Sequence, residues 1–582
     1  MKTTACLLIL LFLTSCTQMT KTTPIPTPSS TPVGTATQQP TDTAAAEKFV
    51  VPDAPLFLRV NQIGYLPEDT KTAFVLTNAN LSGYPFDVFD KAGDSVFTGK
   101  VGEDLGEYGH FAHVYTLDFS HLTKAGSYTV KTAGTLSPPF EISRHTYAGL
   151  ISLSLEFFRI QRCGDTDPAI HQPCHLSDAR VANGPLKGEH LDTSGGWHDA
   201  GDYIKFMLTT GYSLNLMLTA YQHHPQTFEG TQFLKEMRVA LDWTMKMWDS
   251  ENHILYYQVG DESDHDNWRM PEYDDKFRRA RPVFAAPEGH GANVAGKAAS
   301  TLAIASMIWG NEENPLYDSA LADNYLQAAR ELYDFGKSNP EAQPSNPADF
   351  YTEKTWRDDM ALAGAELFRA TGEKHYLEEA QAYAKEAGNG KTINWANLHG
   401  LAHYEIARLD PAYIPTAAKF LLADLEPAES TLDGNPFALA FPKLHWGIFE
   451  DMLGYSLEAL WYEDLTGDTR FHPLMIAQRD YILGRNPWGV CFIGGAGTVF
   501  PQHPHHQIAD IKNITLTGFW DEGPVPLPLF EDQGIHISGD DPFADFQTEE
   551  AVFHDNTEDY VTNEPTITMN AAGVAFTSWF NR

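Results

Sequence analysis

The spacing of hydrophobic side chains changes once along the chain, near residue 145. Before that point the apolar stretches are short, and over residues 113–119 two sets of side chains alternate with the period of two that indicates a strand. Turn residues such as Gly83, Gly93 and Gly126 separate these stretches. The pattern predicts a small β-sandwich over residues 53–144.

After this change, apolar residues recur at helical spacing, as Leu234, Met237 and Leu241 do. The pattern predicts about twelve helices, near residues 148–160, 205–222, 234–248, 293–309, 317–335, 357–371, 375–387, 393–408, 411–424, 448–466, 470–484 and 566–580. Strands do not alternate with helices, which disfavours a parallel α/β sheet. Twelve helices fit six hairpins closed in a ring, so we expect an all-α domain over residues 145–582 whose loops carry the chemistry.

The first residues have the pattern of a targeting segment. Lys2 precedes an apolar run over residues 7–13 that is too short to remain as a membrane-spanning helix. The run ends in a Leu-Thr-Ser-Cys tetrapeptide that resembles the bacterial lipoprotein box. This predicts a signal peptide over residues 1–15 and export with lipid anchoring to the cell envelope through Cys16; an ordinary secretory signal is the alternative. Residues 16–52 are rich in Thr and Pro and are predicted to form a solvated linker.

Charge and cysteine content narrow the classes of function. The chain of 582 residues has 77 Asp and Glu against 40 Lys and Arg, a net charge of −37. Nucleic acid as a partner is therefore not expected, because phosphate binding needs a basic face. A neutral or cationic substrate suits such a surface. Five cysteines cannot hold together a chain of this length, so disulfides do not dominate the fold.

One dense group of polar residues lies in the Gly-Gly-Trp-His-Asp-Ala-Gly-Asp-Tyr segment, residues 195–203. Asp199 and Asp202 lie three residues apart, so one helical turn would aim both carboxylates the same way. Two carboxylates can hold and deprotonate a water, as hydrolysis by a general base requires. Trp197 beside them is a candidate to stack on a sugar. The alternative for the acidic pair is helix capping.

A second group lies near the C-terminus. Glu564 follows Asp555 and Tyr560, and Pro565 places it in extended backbone before the last predicted helix. A general acid needs a raised pKa, whereas the N-terminus of a helix favours the carboxylate. Burial and neighbouring carboxylates would have to outweigh the helix dipole for Glu564 to serve as an acid. Capping is again the alternative.

Both groups resemble the two catalytic stretches of glycoside hydrolase family 9. The family's pattern also fits the segments at 264–272, 481–487 and 504–506, and the segment at 59–67 resembles the start of the immunoglobulin-like module that precedes many of its catalytic domains. The similarity runs from about residue 57 to the C-terminus. It implies an (α/α)6 barrel, preceded by an immunoglobulin-like sandwich, that hydrolyses β-glycosidic bonds with inversion. The sandwich would support the barrel by packing or, alternatively, bind glycan.

The resemblance assigns roles to the carboxylates. It implies Asp202 as general base, Asp199 as its partner in holding the water, and Glu564 as general acid. A further set of residues is predicted to contact the substrate: Trp197, His505, Tyr560 and Asp555. The predicted substrate is β-1,4-glucan or its oligosaccharides. Two alternatives remain, namely an exo-β-glucosaminidase acting on chitosan oligosaccharides and a catalytically idle glycan-binding lipoprotein.

Four further residues form a candidate metal site: Cys163, Cys174, His175 and His198. In an exported protein the two cysteines would by default form a disulfide. Two thiolates and two imidazoles also make a closed tetrahedral zinc site. Members of the family that have the sandwich module carry a structural zinc at matching positions, which favours zinc over the disulfide.

Three places depart from the family's pattern. Gln507 stands where an Arg usually follows the His pair, and the segment at 391–396 lacks a Trp and an Asp that line a distant sugar site and bind calcium in relatives. Asp358 and Asp359 keep two acids of the remaining calcium site, but Lys354 replaces a small ligand residue. Calcium is therefore a possible but disfavoured cofactor. A short cleft that acts from a chain end is favoured over a long groove.

Overall fold

A computed structural model describes residues 51–166 and 169–580. The predicted signal peptide, the lipid site at Cys16 and nearly all of the predicted linker lie outside these residues. Within them, no helix combines the length and the apolar character needed to cross a membrane.

The first part is the expected β-sandwich. Its strands are β1 (Leu56–Arg59), β2 (Gly64–Tyr65), β3 (Thr72–Thr77), β4 (Pro85–Asp90), β5 (Ser95–Lys100), β6 (His113–Asp118), β7 (Gly126–Thr132), β8 (Thr135–Leu136) and β9 (Phe140–Ile142). One sheet has the order β1-β3-β6, and the other has the order β2-β9-β7-β4-β5 with β8 beside β7. Strands β1, β3 and β6 pair antiparallel, with Val75 opposite Leu58 and Tyr115. The apolar side chains of both sheets, such as Val88 and Val130, meet in one buried core.

The remainder is helical, and each of the twelve predicted helices is present: those at 357–371 and 448–466 have the predicted bounds, and the other ten have shifted ends. The helices are α1 (Ala148–Gln161), α2 (Met207–His223), α3 (Phe233–Lys246), α4 (Glu262–Asp266), α5 (Tyr273–Phe277), α6 (Ala292–Trp309), α7 (Ser319–Ser338), α8 (Arg357–Thr371), α9 (Lys374–Ala387), α10 (His399–Leu409), α11 (Ile414–Glu429), α12 (Ile448–Thr466), α13 (His472–Ile482), α14 (Gln507–Lys512), α15 (Leu527–Asp532) and α16 (Ile567–Ser578). The short helices α4, α5, α14 and α15 lie within long loops.

Six helices form an inner ring, in which α2 contacts α6, followed by α8, α10, α12 and α16, and α16 returns to α2. The inner helices are buried almost all round: in α16 every residue from Ile567 to Ser578 is buried. The outer helices α1, α3, α7, α9 and α11 bury one face only, as α7 does through residues such as Tyr325 and Leu332. The outer helix α13 is buried throughout residues 474–482. This is the (α/α)6 barrel.

A small sheet that the hydrophobic pattern does not predict covers one side of the barrel mouth. Its strands are β10 (Arg180–Val181), β11 (Lys205–Phe206), β12 (Trp248–Asp249), β13 (Ile254–Val259) and β14 (Pro282–Ala285). Strand β11 pairs with β13, so the segment directly after Asp202 is fixed to a sheet before it enters α2. The predicted helix at 205–222 accordingly begins at Met207.

The sandwich packs on the loop that follows α13. Gln62 accepts backbone hydrogen bonds from Thr498 and Val499, at 2.8 and 2.9 Å, and donates to the Gly489 carbonyl at 2.7 Å. Arg479 forms a buried ion pair of 2.9 Å with Asp69. These contacts give the module the supporting role expected from its sequence.

Candidate active site

A cavity of about 560 Å³ opens at the N-terminal ends of the inner helices. Its walls are formed by Asp199, Ala200, Asp202, Phe206, His265, Asp349, Phe350, Tyr351, Trp395, Trp446, Gly447, Glu450, Glu522, Gln533, Tyr560, Glu564, Thr566 and Thr568. These residues come from loops that are far apart in sequence. No Lys or Arg is among them, so the wall is acidic and aromatic.

Asp199 and Asp202 reach the cavity from an irregular loop, not from the single helical turn that their spacing predicts. The loop is closed by a hydrogen bond of 2.9 Å from the Asp199 N–H to the Ile204 carbonyl. The Ile204 N–H donates to Asp202 Oδ1, also at 2.9 Å. The expectation was wrong about local structure, but both carboxylates do face one cavity.

Asp199 is buried and held on both oxygens. Thr209 donates to Oδ1, and the Tyr351 hydroxyl donates to Oδ2 at 2.5 Å. Burial raises the pKa of Asp199 to about 7, although these two hydroxyls stabilise its carboxylate. The side chain is therefore fixed in place, as a residue that positions a water must be.

Asp202 pairs with His265, whose Nδ1 lies 3.1 Å from Oδ2. The hydrogen bond to Asp202 raises the pKa of His265 to about 9 despite the opposing effect of burial. His265 is therefore protonated at neutral pH, and its Nδ1–H donates to Asp202 Oδ2 and orients that carboxylate. That arrangement suits a general base.

Glu564 lies beside this pair, and its Oε1 accepts the Gly201 N–H at 3.1 Å. Burial raises the pKa of Glu564 to about 8, with His265 lowering it and Asp202 raising it. The side chain that caps α16 is Thr566, which accepts from the Met569 N–H at 3.3 Å. Glu564 is therefore not the cap, and at neutral pH it holds a proton that a general acid can donate.

Gly201 is needed where it stands. A Cβ at this position would overlap the carbonyl oxygen of His505 and lie 3.2 Å from Glu564 Oε1. The Gln507 N–H also donates to the Gly201 carbonyl at 3.0 Å. The absence of a side chain thus lets the two catalytic segments approach each other.

The prediction that Trp197 stacks on a sugar is wrong. Its side chain is 0% exposed, and the indole N–H donates to Glu236 at 3.0 Å. Its ring packs on Phe158, with centroids 4.7 Å apart. A face covered in this way has no room for a ligand, so Trp197 supports the loop from behind.

The other predicted contacts divide into two kinds. Tyr560 lines the cavity, and His505 lies beside it with ring centroids 5.7 Å apart. Asp555 does not line the cavity; its carboxylate accepts the backbone N–H groups of Gln502 and His503 at 2.7 to 2.9 Å. Asp555 therefore holds the loop that carries His505, and a direct contact with substrate is not what its position provides.

Sequence reasoning did not assign several residues that line the cavity. Trp446 contacts Tyr560, with ring centroids 5.8 Å apart, and Tyr351 contacts Trp395 at 5.0 Å. They lie on loops between helices, where no periodicity marks a residue as facing inward. The only sequence signal was the presence of aromatic residues directly before α8, α10 and α12.

The predicted metal residues do come together. Cys163, Cys174, His175 and His198 are all buried, and their ligand atoms lie within 4.8 Å of one another. The two cysteines are free thiols and not a disulfide. His175 Nε2 contacts Asp274 at 3.0 Å, which turns its Nδ1 toward Cys163, 3.6 Å away. The donor set and its carboxylate support fit a structural zinc ion.

The acids of the predicted calcium site already have protein partners. Lys297 is fully buried and contacts Glu353 at 2.6 Å and Asp359 at 2.7 Å. Asp358 accepts from the Leu398 N–H at 2.7 Å. The ammonium group of Lys297 therefore lies between two of these carboxyl groups, where a calcium ion would have to bind, so the residues present do not fit a calcium ion.

The barrel, the aromatic walls and the three convergent carboxylates define a glycoside hydrolase that works by general acid–base chemistry. Comparison with known proteins identifies its family. Residues 147–577 match the family model for glycosyl hydrolase family 9, and residues 57–137 match that for the cellulase N-terminal Ig-like domain. The chain belongs to glycosyl hydrolase family 9.

Known relatives share nearly the whole chain. A xyloglucan-specific endo-β-1,4-glucanase of Bacteroides ovatus, BoGH9A, is 27% identical, covering 90% of this chain and 93% of its own. The structure of a metagenome-derived family 9 endoglucanase superposes with a TM-score of 0.76 at 24% identity, covering 90% and 99% of the two chains. A Zn-binding triple mutant of the family 9 endoglucanase J30 superposes with a TM-score of 0.73 at 22% identity, covering 89% and 99%.

We expect activity to fall as the pH rises through about 8, because Glu564 then loses its proton. His265→Gln removes a cation that lowers the pKa of Glu564. The alkaline limb of kcat/KM should therefore move to higher pH, by on the order of one unit, while kcat falls. The measurement is the pH profile of both proteins, with His472→Gln as a control because His472 pairs with Glu463 at the barrel surface. An unchanged alkaline limb in His265→Gln would contradict the coupling.

Proposed function

We propose that this enzyme hydrolyses β-1,4-linked glucan chains, preferentially short soluble ones, by a single inverting displacement. The observation that carries the proposal is the placement on the same cavity of Glu564, whose pKa burial raises to about 8, and Asp202, which pairs with His265. Asp202 takes a proton from water while that water attacks the anomeric carbon. Glu564 gives its proton to the leaving oxygen, so the charge on that oxygen is neutralised as the bond breaks.

Other residues prepare these two groups. The imidazolium of His265 orients Asp202, and Asp199, fixed by Tyr351 and Thr209, accepts the second hydrogen of the water. The aromatic faces of Trp395 and Trp446 offer stacking surfaces for sugar rings. No Lys or Arg lines the wall, and the imidazolium of His265 is paired with Asp202, which suits an uncharged glucan.

The short-chain preference follows from the aromatic residues that the cleft lacks. Lys391 stands where relatives carry a Trp, and each lost platform removes on the order of 1 kcal/mol of sugar binding. Binding energy from distant sugars helps to drive the chemical step, so a short cleft acts on chain ends. The binding energy therefore comes from the few sugars that the cavity of about 560 Å³ can hold.

The test is an assay of cello-oligosaccharides, carboxymethyl cellulose, xyloglucan, xylan and chitosan oligomers, with product anomers followed by NMR. We expect α-anomeric products at early times, monomers or dimers from cello-oligosaccharides, and little loss of viscosity in carboxymethyl cellulose. Early β-anomer would overturn inversion. A rapid collapse of viscosity with few new reducing ends would show endo action and overturn the short-cleft proposal.

The acidic wall favours a second candidate, an exo-β-glucosaminidase. Glu450 and Glu522 line the cavity, and no Lys or Arg lines it with them. Burial raises the pKa of Glu450 to about 8 and also raises the pKa of Glu522, and the cationic amino group of a glucosamine beside them would favour their ionised forms. On this alternative, Glu522→Gln should lower kcat/KM on glucosamine oligomers and leave the rate on glucose oligomers unchanged.

We propose further that Cys163, Cys174, His175 and His198 bind one structural zinc ion. The cluster joins the end of α1 to the residue directly before Asp199, so the ion would fix the loop that carries the base. Zinc supplies no chemistry to the cleft in this role; it holds protein ligands in place. A triple mutant of the family 9 endoglucanase J30 is described as Zn-binding, so a protein of this family can hold that metal.

We expect about one zinc per chain in purified protein, and its loss in Cys174→Ser. Loss of a structural zinc should lower the free energy of unfolding by at least about 3 kcal/mol and reduce activity by loosening the Asp199 loop. Metal analysis and thermal unfolding measure both effects. Cys491→Ser is the matched control, since Cys491 is a buried thiol outside the cluster. A Cys163–Cys174 disulfide in metal-free, fully active enzyme would contradict the proposal.

We also propose that the protein is exported and anchored to the cell envelope by a lipid on Cys16. The support is the Leu-Thr-Ser-Cys tetrapeptide after an apolar run and the Thr- and Pro-rich segment that follows. Such a tether would hold the enzyme at the surface where oligosaccharides arrive.

A further inference from the structure

Three buried side chains meet behind the segment that leads to Trp395, outside the site described above. They are His399 at the start of α10, Asp424 on α11 and Glu458 on α12, with exposed fractions of 3%, 2% and 0%. His399 Nε2 lies 3.0 Å from Asp424 Oδ2 and 3.6 Å from Glu458 Oε1. One atom from each side chain lies within 4.8 Å of the other two.

The cluster has more negative charge than its protein partners can neutralise. Neither carboxylate oxygen of Glu458 has a side-chain hydrogen-bond donor, although the side chain is fully buried and only the backbone of Ile393 lies within reach. Among the ion pairs of residues 51–166 and 169–580, His399 is the only basic partner of Asp424 and of Glu458. Burying two carboxylates against one imidazole is costly unless a further cation is present.

The geometry is that of a coordination site. For bonds of about 2.1 Å, neighbouring ligand atoms lie about 3.0–3.5 Å apart, close to the two distances from His399 Nε2. Asp424 is also held from outside: its Oδ1 accepts from Asn389 Nδ2 and from the Lys391 N–H, both at 2.8 Å. Those bonds leave Oδ2 facing the imidazole, as supporting contacts do around metal ligands.

We propose that His399, Asp424 and Glu458 bind one divalent transition-metal ion of the Zn²⁺ or Mn²⁺ kind. One imidazole with two carboxylates suits such ions, whereas Ca²⁺ and Mg²⁺ prefer oxygen ligands alone. The ion joins three neighbouring helices of the barrel. It also fixes the segment from Lys391 to His399, and through that segment the position of Trp395 in the cavity wall.

Mn²⁺ is the sharpest probe, because the thiolates of Cys163 and Cys174 select zinc over manganese. The full chain, stripped with a chelator, is dialysed against MnCl₂ and its bound metal is counted, in parallel with Glu458→Gln and Asp424→Asn. Glu463→Gln serves as the control, since Glu463 is on the same helix but at the protein surface, beside His472. Thermal unfolding of each protein is measured with and without the metal.

At 100 times the wild-type dissociation constant, wild type and Glu463→Gln should bind one Mn²⁺ per chain, and both cluster variants should lose at least 90% of that binding, which corresponds to a fall in affinity on the order of 1,000-fold. At 100 times the dissociation constant the metal should raise the Tm of the wild type by about 2–3 °C and leave the cluster variants unchanged. A Tm shift that disappears only in the cluster variants supports the site even if one of them is less stable without metal. Equal Mn²⁺ binding in all four proteins would overturn it, as would a wild type that binds no Mn²⁺ and no more zinc than the one ion expected at the cysteine cluster.

Discussion

Replacing Asp202 by Ala or Glu564 by Gln is expected to lower kcat on cello-oligosaccharides by a factor of about 10²–10⁴. The Asp202→Ala variant lacks a general base, because Asp202 is the carboxylate that pairs with His265 and accepts a proton from the water. The Glu564→Gln variant lacks a general acid, because the amide of Gln cannot give a proton to the leaving oxygen. Both variants should keep the fold, since neither side chain supports a helix.

A substrate with a different leaving group distinguishes the general acid from the general base. An aryl glycoside whose leaving group is already acidic needs no proton from the enzyme, so it should recover much of its rate in Glu564→Gln but not in Asp202→Ala. Circular dichroism and Tm establish folding, and Glu288→Gln, at an exposed position, is a matched carboxylate control. If the aryl glycoside rescued Asp202→Ala instead, the acid and base assignments would have to be exchanged.

The second large effect is on stability, through Lys297→Met. The ammonium group of Lys297 lies between Glu353 and Asp359 and forms a salt bridge with each. All three side chains are fully buried. Removing one member of a buried ion group leaves uncompensated charge and typically costs about 3–5 kcal/mol. We expect denaturant unfolding of the variant to show a loss of that size.

Lys337→Met is the control for this loss. Lys337 also pairs with a glutamate, Glu379 at 2.9 Å, but both side chains are about one-third exposed, with fractions of 36% and 31%. Such a pair is worth at most about 1 kcal/mol.

Calcium should not raise the Tm of the wild type, because the acidic cluster around Lys297 already has its cation. A marked stabilisation of the wild type by calcium would contradict this account.

The hydrophobic pattern predicts much of the fold because each barrel helix repeats its signal over several turns. In α12, for example, apolar residues recur from Ile448 onward, and no alternative element fits them. The sheet at the barrel mouth escapes prediction because strands such as β11 have only two residues, too few for any period to appear. Its existence depends on pairing with β13, which is a tertiary effect.

The carboxylates were predictable because Asp199, Asp202 and Glu564 lie within dense motifs. Trp197 was misassigned because a tryptophan next to a catalytic residue suits both a stacking surface and a buried support, and only its packing on Phe158 distinguishes them. Tyr351 was missed because its role depends on a contact with Asp199 across about 150 residues of chain, for which the sequence offers no local sign.

The inner ring closes at a seam, where its last helix α16 contacts its first helix α2. This seam has a consequence for the synthesis of the protein. The base precedes the first inner helix and the acid precedes the last, and the Ile567 N–H donates across the seam to the Asp199 carbonyl at 2.9 Å. Domains emerge from the ribosome with their N-terminal parts first. A nascent chain that has not yet released α16 therefore has the water-activating half of the site without its proton donor. The complete active site forms only when α16 packs against α2. The enzyme is therefore inactive during translation until α16 has docked.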